Sequence, residues 1–278
     1  MLADTAVLAR DCAARKVGLA AFNVVLLDHA EAFVDAAENT GLPLVLQLSQ
    51  NAVKYHGGCL RPLGRALIEL AEASTVPVSV HLDHAESTDL CREAVELGFT
   101  SIMYDGSKLP DAQNRETTAE ITAFAHKHGV SVEAELGEVG GKNGVHDPSA
   151  RTNPEDAAQF VADTGVDLLA VAVGSSHAMA TREAVLDNQL IAAIHELVPV
   201  PLVLHGSSGV PDEGMVAAIQ AGMTKINVST HLNVVFTQGV RQILDENPKI
   251  VDPRKYVGPA THLVQEEVER LMRLYAQA

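Results

Sequence analysis

The stretch AFNVVLLDHA, residues 21–30, leaves a short apolar run and enters an amphipathic segment without a glycine. A doubly wound nucleotide-binding sheet usually carries a glycine-rich phosphate turn at this first strand-to-helix junction. Its absence favours the other fold built from alternating strands and helices, the (β/α)8 or TIM barrel. Reading outward supports that choice. Apolar runs recur at 19–24, 43–48, 77–82, 100–104, 130–136, 167–173, 201–205 and 224–228. Several are almost continuous in Val, Leu and Ile, the pattern of parallel strands covered on both faces. Helical periodicity fills the gaps at 29–39, 63–73, 88–97, 116–127, 154–163, 187–197 and 212–221, and 230–245 is long enough for a last helix. Gly41, Gly98, Gly129, Gly165 and Gly222 fall just past helices, where a left-handed cap residue fits.

The chain has 278 residues. One barrel routinely fills ~250, so residues 1–278 are expected to form a single barrel domain. An amphipathic N-terminal helix and an extra C-terminal helix over 259–278 flank it. The longest irregular stretch, 137–153 with four glycines, is expected to be a mobile loop over one barrel mouth. Hydrophobic residues make up 47% and charged residues 20%, a composition that excludes disorder as the main state. Aromatics are only 4%, with no Trp, and the net charge is −16. Those values exclude a stacking platform for single-stranded nucleic acid and disfavour binding to a phosphate backbone or an anionic membrane. No apolar run approaches the ~20 residues of a membrane span, and no leader pattern opens the chain. Cys12, Cys59 and Cys91 are odd in number and widely spaced, which reads as reduced thiols in a cytoplasm.

In a barrel of this kind, function sits at the C-terminal ends of the strands. The residues closing the runs are Asn23, Ser49, the segment His81-Leu82-Asp83-His84, Asp105, Glu133 with Glu135, His177 after Gly174-Ser175-Ser176, His205-Gly206, and Asn227. One His after a strand is ordinarily a hydrogen-bonded cap. Metal-type ligands ending five successive strands are different, because the barrel projects all of them into one mouth. His84, His177 and His205, with an open fourth position, make a zinc site of the Lewis-acid or hydrolytic type. Asp83, beside His84, is placed for proton transfer, with orientation of a histidine as its alternative role. Asp105 and Glu135 offer oxygen ligands for a second divalent ion, or else form carboxylates bonded to loop amides. The remaining histidines read as solvated or structural, with His146 the least settled among them.

Two small-residue turns complete the pattern. HGSSG, 205–209, follows the seventh run, and INVST, 226–230, follows the eighth. Barrels bind phosphate at those two positions through backbone N–H groups and helix N-termini. Such a site needs no net positive charge, which reconciles an acidic chain with an anionic substrate. The residues alone describe a metal-dependent enzyme acting on a small phosphorylated molecule, with enolate chemistry and hydrolysis both open.

These motifs resemble the class II (zinc-dependent) ketose-bisphosphate aldolases, the family of fructose- and tagatose-1,6-bisphosphate aldolases. The matching stretches are AFNV (21–24), HLDHAE (81–86), SIMYDGS (101–107), VEAELGEVGG (132–141), TGVDLLAVAVGSSHA (164–178), VPLVLHGSSGVPDE (200–213), KINVST (225–230) and DPRKY (252–256), in family order through nearly the whole chain. The resemblance implies cleavage of a ketose 1-phosphate or 1,6-bisphosphate to dihydroxyacetone phosphate and an aldehyde through a zinc-stabilised enediolate. By position it implies His84, His177 and His205 as zinc ligands, Asp83 as the acid, and Asp105 and Glu135 as a second metal position. Donor contacts fall on Gly206, Ser207, Ser208, Asn227, Val228, Ser229 and Thr230, and further substrate contacts on Asn23, Ser49 and Ala178. A monovalent cation, Na+ or K+, accompanies the donor phosphate, and a homodimer or homotetramer is expected.

Departures concentrate at the acceptor end and in the loop. Gly140-Gly141 is followed by Lys142-Asn143-Gly144, where the family places an acidic pair, leaving Asp147 or His146 as the nearest substitute. Ala178 replaces a glycine after His177. Ser229 stands where fructose-bisphosphate members carry Asp, and Asn233 where they carry the Arg that grips the far phosphate. Two rival readings remain: a non-catalytic barrel subunit that stabilises a partner aldolase subunit, and a metal-dependent barrel hydrolase. The lost loop acids favour the first; the absence of a His-x-His after the first run disfavours the second.

Overall fold

Each apolar run becomes one parallel strand, and the eight strands close on themselves. The computed structural model describes residues 1–136, 151–176 and 181–278. Its strands are β1 (Leu19–Asn23), β2 (Leu44–Ser49), β3 (Val78–Ala85), β4 (Ser101–Tyr104), β5 (Ser131–Glu135), β6 (Leu168–Ala170), β7 (Leu202–Leu204) and β8 (Met223–Val228). They pair in chain order, and β8 returns to β1, giving a closed barrel. The helices among the described residues are α1 (Thr5–Arg15), α2 (Leu27–Thr40), α3 (Gln50–Tyr55), α4 (Arg61–Ala73), α5 (Thr88–Leu97), α6 (Asp111–Lys127), α7 (Pro154–Thr164), α8 (Asn188–Leu197), α9 (Asp212–Ala221), α10 (Thr230–Glu246) and α11 (Arg254–Ala276). The fold is the expected (β/α)8 barrel with an extra C-terminal helix. The expected loop at 137–153 falls mostly at 137–150, outside the described residues.

Two helices depart from expectation. α3 has six residues, too few to show a period, and Ser49 caps it by accepting from the Ala52 amide. α11 begins at Arg254, before Pro259, which lies inside the helix. A proline ordinarily marks a first turn because it lacks the amide N–H. Here packing of α11 against α10 and α2 prevails over that local signal.

Alternation along the strands sorts residues into two cores. Ala20, Phe22, Leu44, Leu46, Val78, Val80 and Leu82 face the surrounding helices in the larger core. The alternate residues Leu19, Ala21 and Val45 join Leu168, Ala170, Val203 and the α1 residues Ala6, Ala9 and Cys12 in a second cluster. α1 thus closes the bottom of the barrel. Above that plug the interior turns polar, with Gln47, His81, Glu133 and Lys225 each fully buried. All three cysteines are free; Cys12 and Cys91 are buried, whereas Cys59 is exposed. No described helix is long and apolar enough to cross a membrane.

Candidate active site

Strand register assembles the site. β1 and β2 align Asn23 with Gln47, and β2 and β3 align Gln47 with His81 and Ser49 with Asp83. At the C-terminal mouth these strands open on a cavity of about 240 Å³ lined by Asn23, Ser49, Asp83, His84, His205, Gly206, Ser208, Asn227, Ser229 and Thr230. Ten of the residues expected from the sequence therefore meet there.

Asp83 and His84 are neighbours in the chain, and a regular strand would send them to opposite faces. His84 instead has φ of 48°, in the left-handed region, and the β3–β4 register shifts between Leu82 and Ala85. That conformation costs about 1–3 kcal/mol for a residue other than glycine and gathers at functional sites. Its effect is to bring both side chains to the same cavity.

Carboxylates hold the histidines in place. His84 Nδ1 lies 2.7 Å from Asp105 Oδ2, and Asp105 also accepts from the Ser107 amide at 3.2 Å and hydroxyl at 2.5 Å. Asp105 is thus bonded both to a loop amide and to the His84 ring, whose orientation it fixes. His205 Nδ1 lies 3.1 Å from Glu135 Oε2, and its Nε2 lies 2.9 Å from Glu133 Oε1. The His84 and His205 rings meet edge-on with centroids 4.6 Å apart. Asp83 accepts from Asn23 Nδ2 at 2.7 Å through Oδ2, whereas its buried Oδ1 has no hydrogen-bond partner among the described residues.

Burial and neighbouring charges pull these groups in opposite directions. Burial alone depresses the His84 pKa, but Asp83 and Asp105 prevail and raise it to about 10. Burial likewise opposes His205, whose bonds to Glu133 and Glu135 leave it above its ordinary value. Burial would raise Asp83, yet His84, Lys225 and His205 hold it below its ordinary value. Asp105 is held well below the carboxylate range, against burial, by His84 and Ser107. His81 is driven down to about 3 by burial and by Lys225.

Asp83, His84 and His205 offer ligand atoms within 4.8 Å of one another. Mixed nitrogen and oxygen donors suit zinc, and a buried carboxylate oxygen without a partner is complementary to a cation or a proton donor. The residues present fit the ion. His177 and Ala178 lie outside the described residues.

The two turns are tied to each other and to the loop after β6. Gly206 has φ of 66°, and a Cβ there would sit 2.5 Å from the Ser176 carbonyl oxygen, so only glycine lets these loops pack together. Ser175 Oγ donates to the His205 carbonyl at 2.6 Å. Ser207 Oγ donates to the Asn227 carbonyl, and Ser208 Oγ accepts from the His231 amide at 3.2 Å. Two expected contacts are thus structural at their side chains: Ser207 is spent on the turn, and Val228 is packed in the outer core. Asp105 and Glu135 also stand behind the histidines and not on the cavity wall.

Sequence reasoning gave no role to Gln47 or Lys225, and named His81 and Glu133 at the ends of runs without assigning either one. The signal was present: polar residues at every second position of otherwise apolar runs, as in VSVHLD, LQLS and TKIN. A larger cavity of about 810 Å³, bordered by Ser107, Asn114, Arg115, Leu136 and Arg151, is lined by none of the expected site residues.

A closed barrel with a histidine and carboxylate cluster that could hold a metal ion, beside two small-residue turns, belongs to the class of barrels that carry their active site at the C-terminal mouth. Comparison narrows it. Residues 3–278 match the family described as fructose-bisphosphate aldolase class-II. The chain is 40% identical to a fructose-bisphosphate aldolase of Thermus caldophilus, over 96% of this chain and 95% of that one. It is 38% identical to one of Geobacillus stearothermophilus, over 95% and 93%. The crystal structure of the YdjI aldolase from Escherichia coli K12 superposes with a TM-score of 0.86 at 31% identity, covering 99% of this chain and 97% of that one. The chain belongs to the class II fructose-bisphosphate aldolase family, whose members are carbon–carbon lyases.

Proposed function

We propose that this protein is a zinc-dependent aldolase cleaving a ketose 1-phosphate or ketose 1,6-bisphosphate to dihydroxyacetone phosphate and an aldehyde. The observation that supports this most is the convergence of Asp83, His84 and His205 within 4.8 Å at the mouth that also carries Gly206, Ser208, Asn227 and Thr230. His84 and His205, with His177, would hold the zinc, which when bound supplies a Lewis acid to polarise the donor carbonyl. Backbone N–H groups of Gly206–Ser208 and Asn227–Thr230 and the N-terminus of α10 bind the donor phosphate. In cleavage, Asp83 takes the proton of the C4 hydroxyl as the C3–C4 bond breaks, and C4 becomes the aldehyde carbon. In the reverse direction it returns that proton to the aldehyde oxygen. Asp83 Oδ1, buried and without a hydrogen-bond partner among the described residues, is the oxygen for this transfer. Asp147 and His146, the substitutes for the loop acids at donor C3, lie outside the described residues.

The same reading includes a second divalent ion at Asp105 and Glu135 and a Na+ or K+ beside the phosphate, both countable by elemental analysis. It also includes a cytoplasmic homodimer or homotetramer. The acceptor end carries the finer prediction. Asn233 is absent from the cavity wall, and Arg254 is exposed and paired with Asp252 at 2.8 Å. Charge-assisted bonds to a far phosphate are worth roughly 1.5–3 kcal/mol. Without them, kcat/KM for fructose 1,6-bisphosphate should fall roughly 10–100-fold below that for a preferred ketose 1-phosphate. A retro-aldol screen with coupled detection of dihydroxyacetone phosphate tests both parts. No turnover on any ketose phosphate rejects the aldolase reading, and efficient cleavage of fructose 1,6-bisphosphate rejects the altered acceptor end.

A further inference from the structure

Lys225 and Glu133 are fully buried inside the barrel, 2.8 Å apart, and the reaction as proposed uses neither. A buried ion pair is weak evidence for stability, because desolvation of both ions offsets their attraction. Its position is more informative, because two hydrogen-bonded paths leave it and both end at the cavity.

The first path is short. Glu133 bonds His205 Nε2 through Oε1 at 2.9 Å and faces Lys225 through Oε2. The second runs across three strands. Lys225 Nζ donates to Gln47 Oε1 at 2.5 Å, Gln47 Nε2 donates to Asn23 Oδ1 at 3.1 Å, and Asn23 Nδ2 donates to Asp83 Oδ2 at 2.7 Å. Lys225 also donates to Asn227 Oδ1 at 2.9 Å.

The second path has a fixed direction. A lysine can only donate, and an ionised carboxylate can only accept. Each amide between them must turn its oxygen toward Lys225 and its nitrogen toward Asp83. Without the ammonium at one end, the Gln47 amide loses the bond that fixes it, and both orientations become available to Gln47 and then to Asn23. Half of those orientations present an amide oxygen to the Asp83 carboxylate, which repels it. Bonds in such a chain also polarise one another.

We propose that Lys225 is a positioning residue. Through Glu133 it sets the ring of His205, and through Gln47 and Asn23 it sets which oxygen of Asp83 is bound and which faces the substrate. One buried cation therefore aligns a zinc ligand and the proton-transfer group together. This rests on the aldolase reading, and the following test separates the two.

Three variants are assayed: Lys225→Met, the neutral double variant Lys225→Met/Glu133→Gln, and Gln47→Leu, which cuts the Asp83 path while leaving the ion pair in place. Each is measured for kcat, KM, zinc affinity by competition with a chelating dye, and melting temperature. Lys225→Met strands Glu133 without its partner, so it is expected to lose zinc affinity, kcat and melting temperature together. The double variant is expected to regain melting temperature and most zinc affinity, because the introduced amide oxygen still accepts from His205. Its kcat should stay low by roughly 10–100-fold, the range for partners behind a metal site. Gln47→Leu should show a similar drop in kcat with KM and zinc affinity near wild type. The role is overturned if the double variant and Gln47→Leu both turn over within threefold of wild type, or if in those two variants zinc affinity and kcat fall in parallel with melting temperature. An inactive wild-type protein would instead reject the aldolase reading.

Discussion

At the scale of single residues, the site depends on side chains whose positions a regular strand would not allow. Asp83 and His84 share one cavity only because His84 adopts a left-handed backbone at φ of 48°. Asp83 then accepts from Asn23 through one oxygen, and its other, buried oxygen has no hydrogen-bond partner among the described residues. General acid–base catalysis is worth roughly 10²–10⁴-fold. Asp83→Ala should lower kcat by about that factor, with zinc content near wild type. Metal analysis of the purified variant separates two roles: zinc retained with turnover lost identifies a proton carrier, and zinc lost with it identifies a ligand. A decrease under tenfold would leave Asp83 only the orientation of His84.

At the scale of elements, α11 reaches the mouth through charged side chains. Glu267 accepts from His231 Nε2 at 2.6 Å and from Arg270 at 2.7 Å, and Arg270 continues to Asp212 at the start of α9 at 2.6 Å. Arg182, from the loop after β6, binds Asp212 and the Val210 carbonyl. The network joins the N-terminal turn of α10, the start of α9 and the loop after β6. Burial would raise the Glu267 pKa, but Arg270 and His231 pull it down to about 2 from 4.5. A carboxylate depressed on folding stabilises the native state above its unfolded pKa and loses that contribution as pH falls toward its folded pKa. Glu267→Gln should therefore melt below wild type at neutral pH. The gap should narrow as pH falls from about 4.5 to about 2, as read by differential scanning calorimetry. A gap constant over that window would show that Glu267 contributes by packing alone.

At the scale of the molecule, an acidic chain is expected to bind an anion without a surplus of cations. In the proposed reading, the two turns after β7 and β8 meet this with backbone N–H groups and a helix N-terminus. The same separation of fold from site governs the metal. A chain of this length buries about three quarters of its unfolded surface, and α1 and the helices close the barrel without help from the mouth. Exhaustive chelation should abolish retro-aldol turnover while far-UV circular dichroism remains that of the folded barrel, and added zinc should restore activity. Full turnover after verified metal removal would contradict the mechanism. Cooperative unfolding on chelation would show that the mouth helps to hold the barrel closed.

The residue order determined much of this by itself. Eight apolar runs separated by helical periods define the barrel because period and run length are local properties of the chain. A strand's last residue must lie at the mouth of such a barrel, so Asp83, His84, His205 and Asn227 could be placed there from sequence. Other features depended on the closed structure. The left-handed turn at His84 has no local signature, since histidine does not require it. The path from Lys225 to Asp83 joins β8, β2, β1 and β3, and only strand register brings Lys225, Gln47 and Asn23 within hydrogen-bonding reach. The alternation of polar residues was visible in the runs. What it meant depended on closure, because a barrel turns every second residue into one shared interior, where a charge must find its partner.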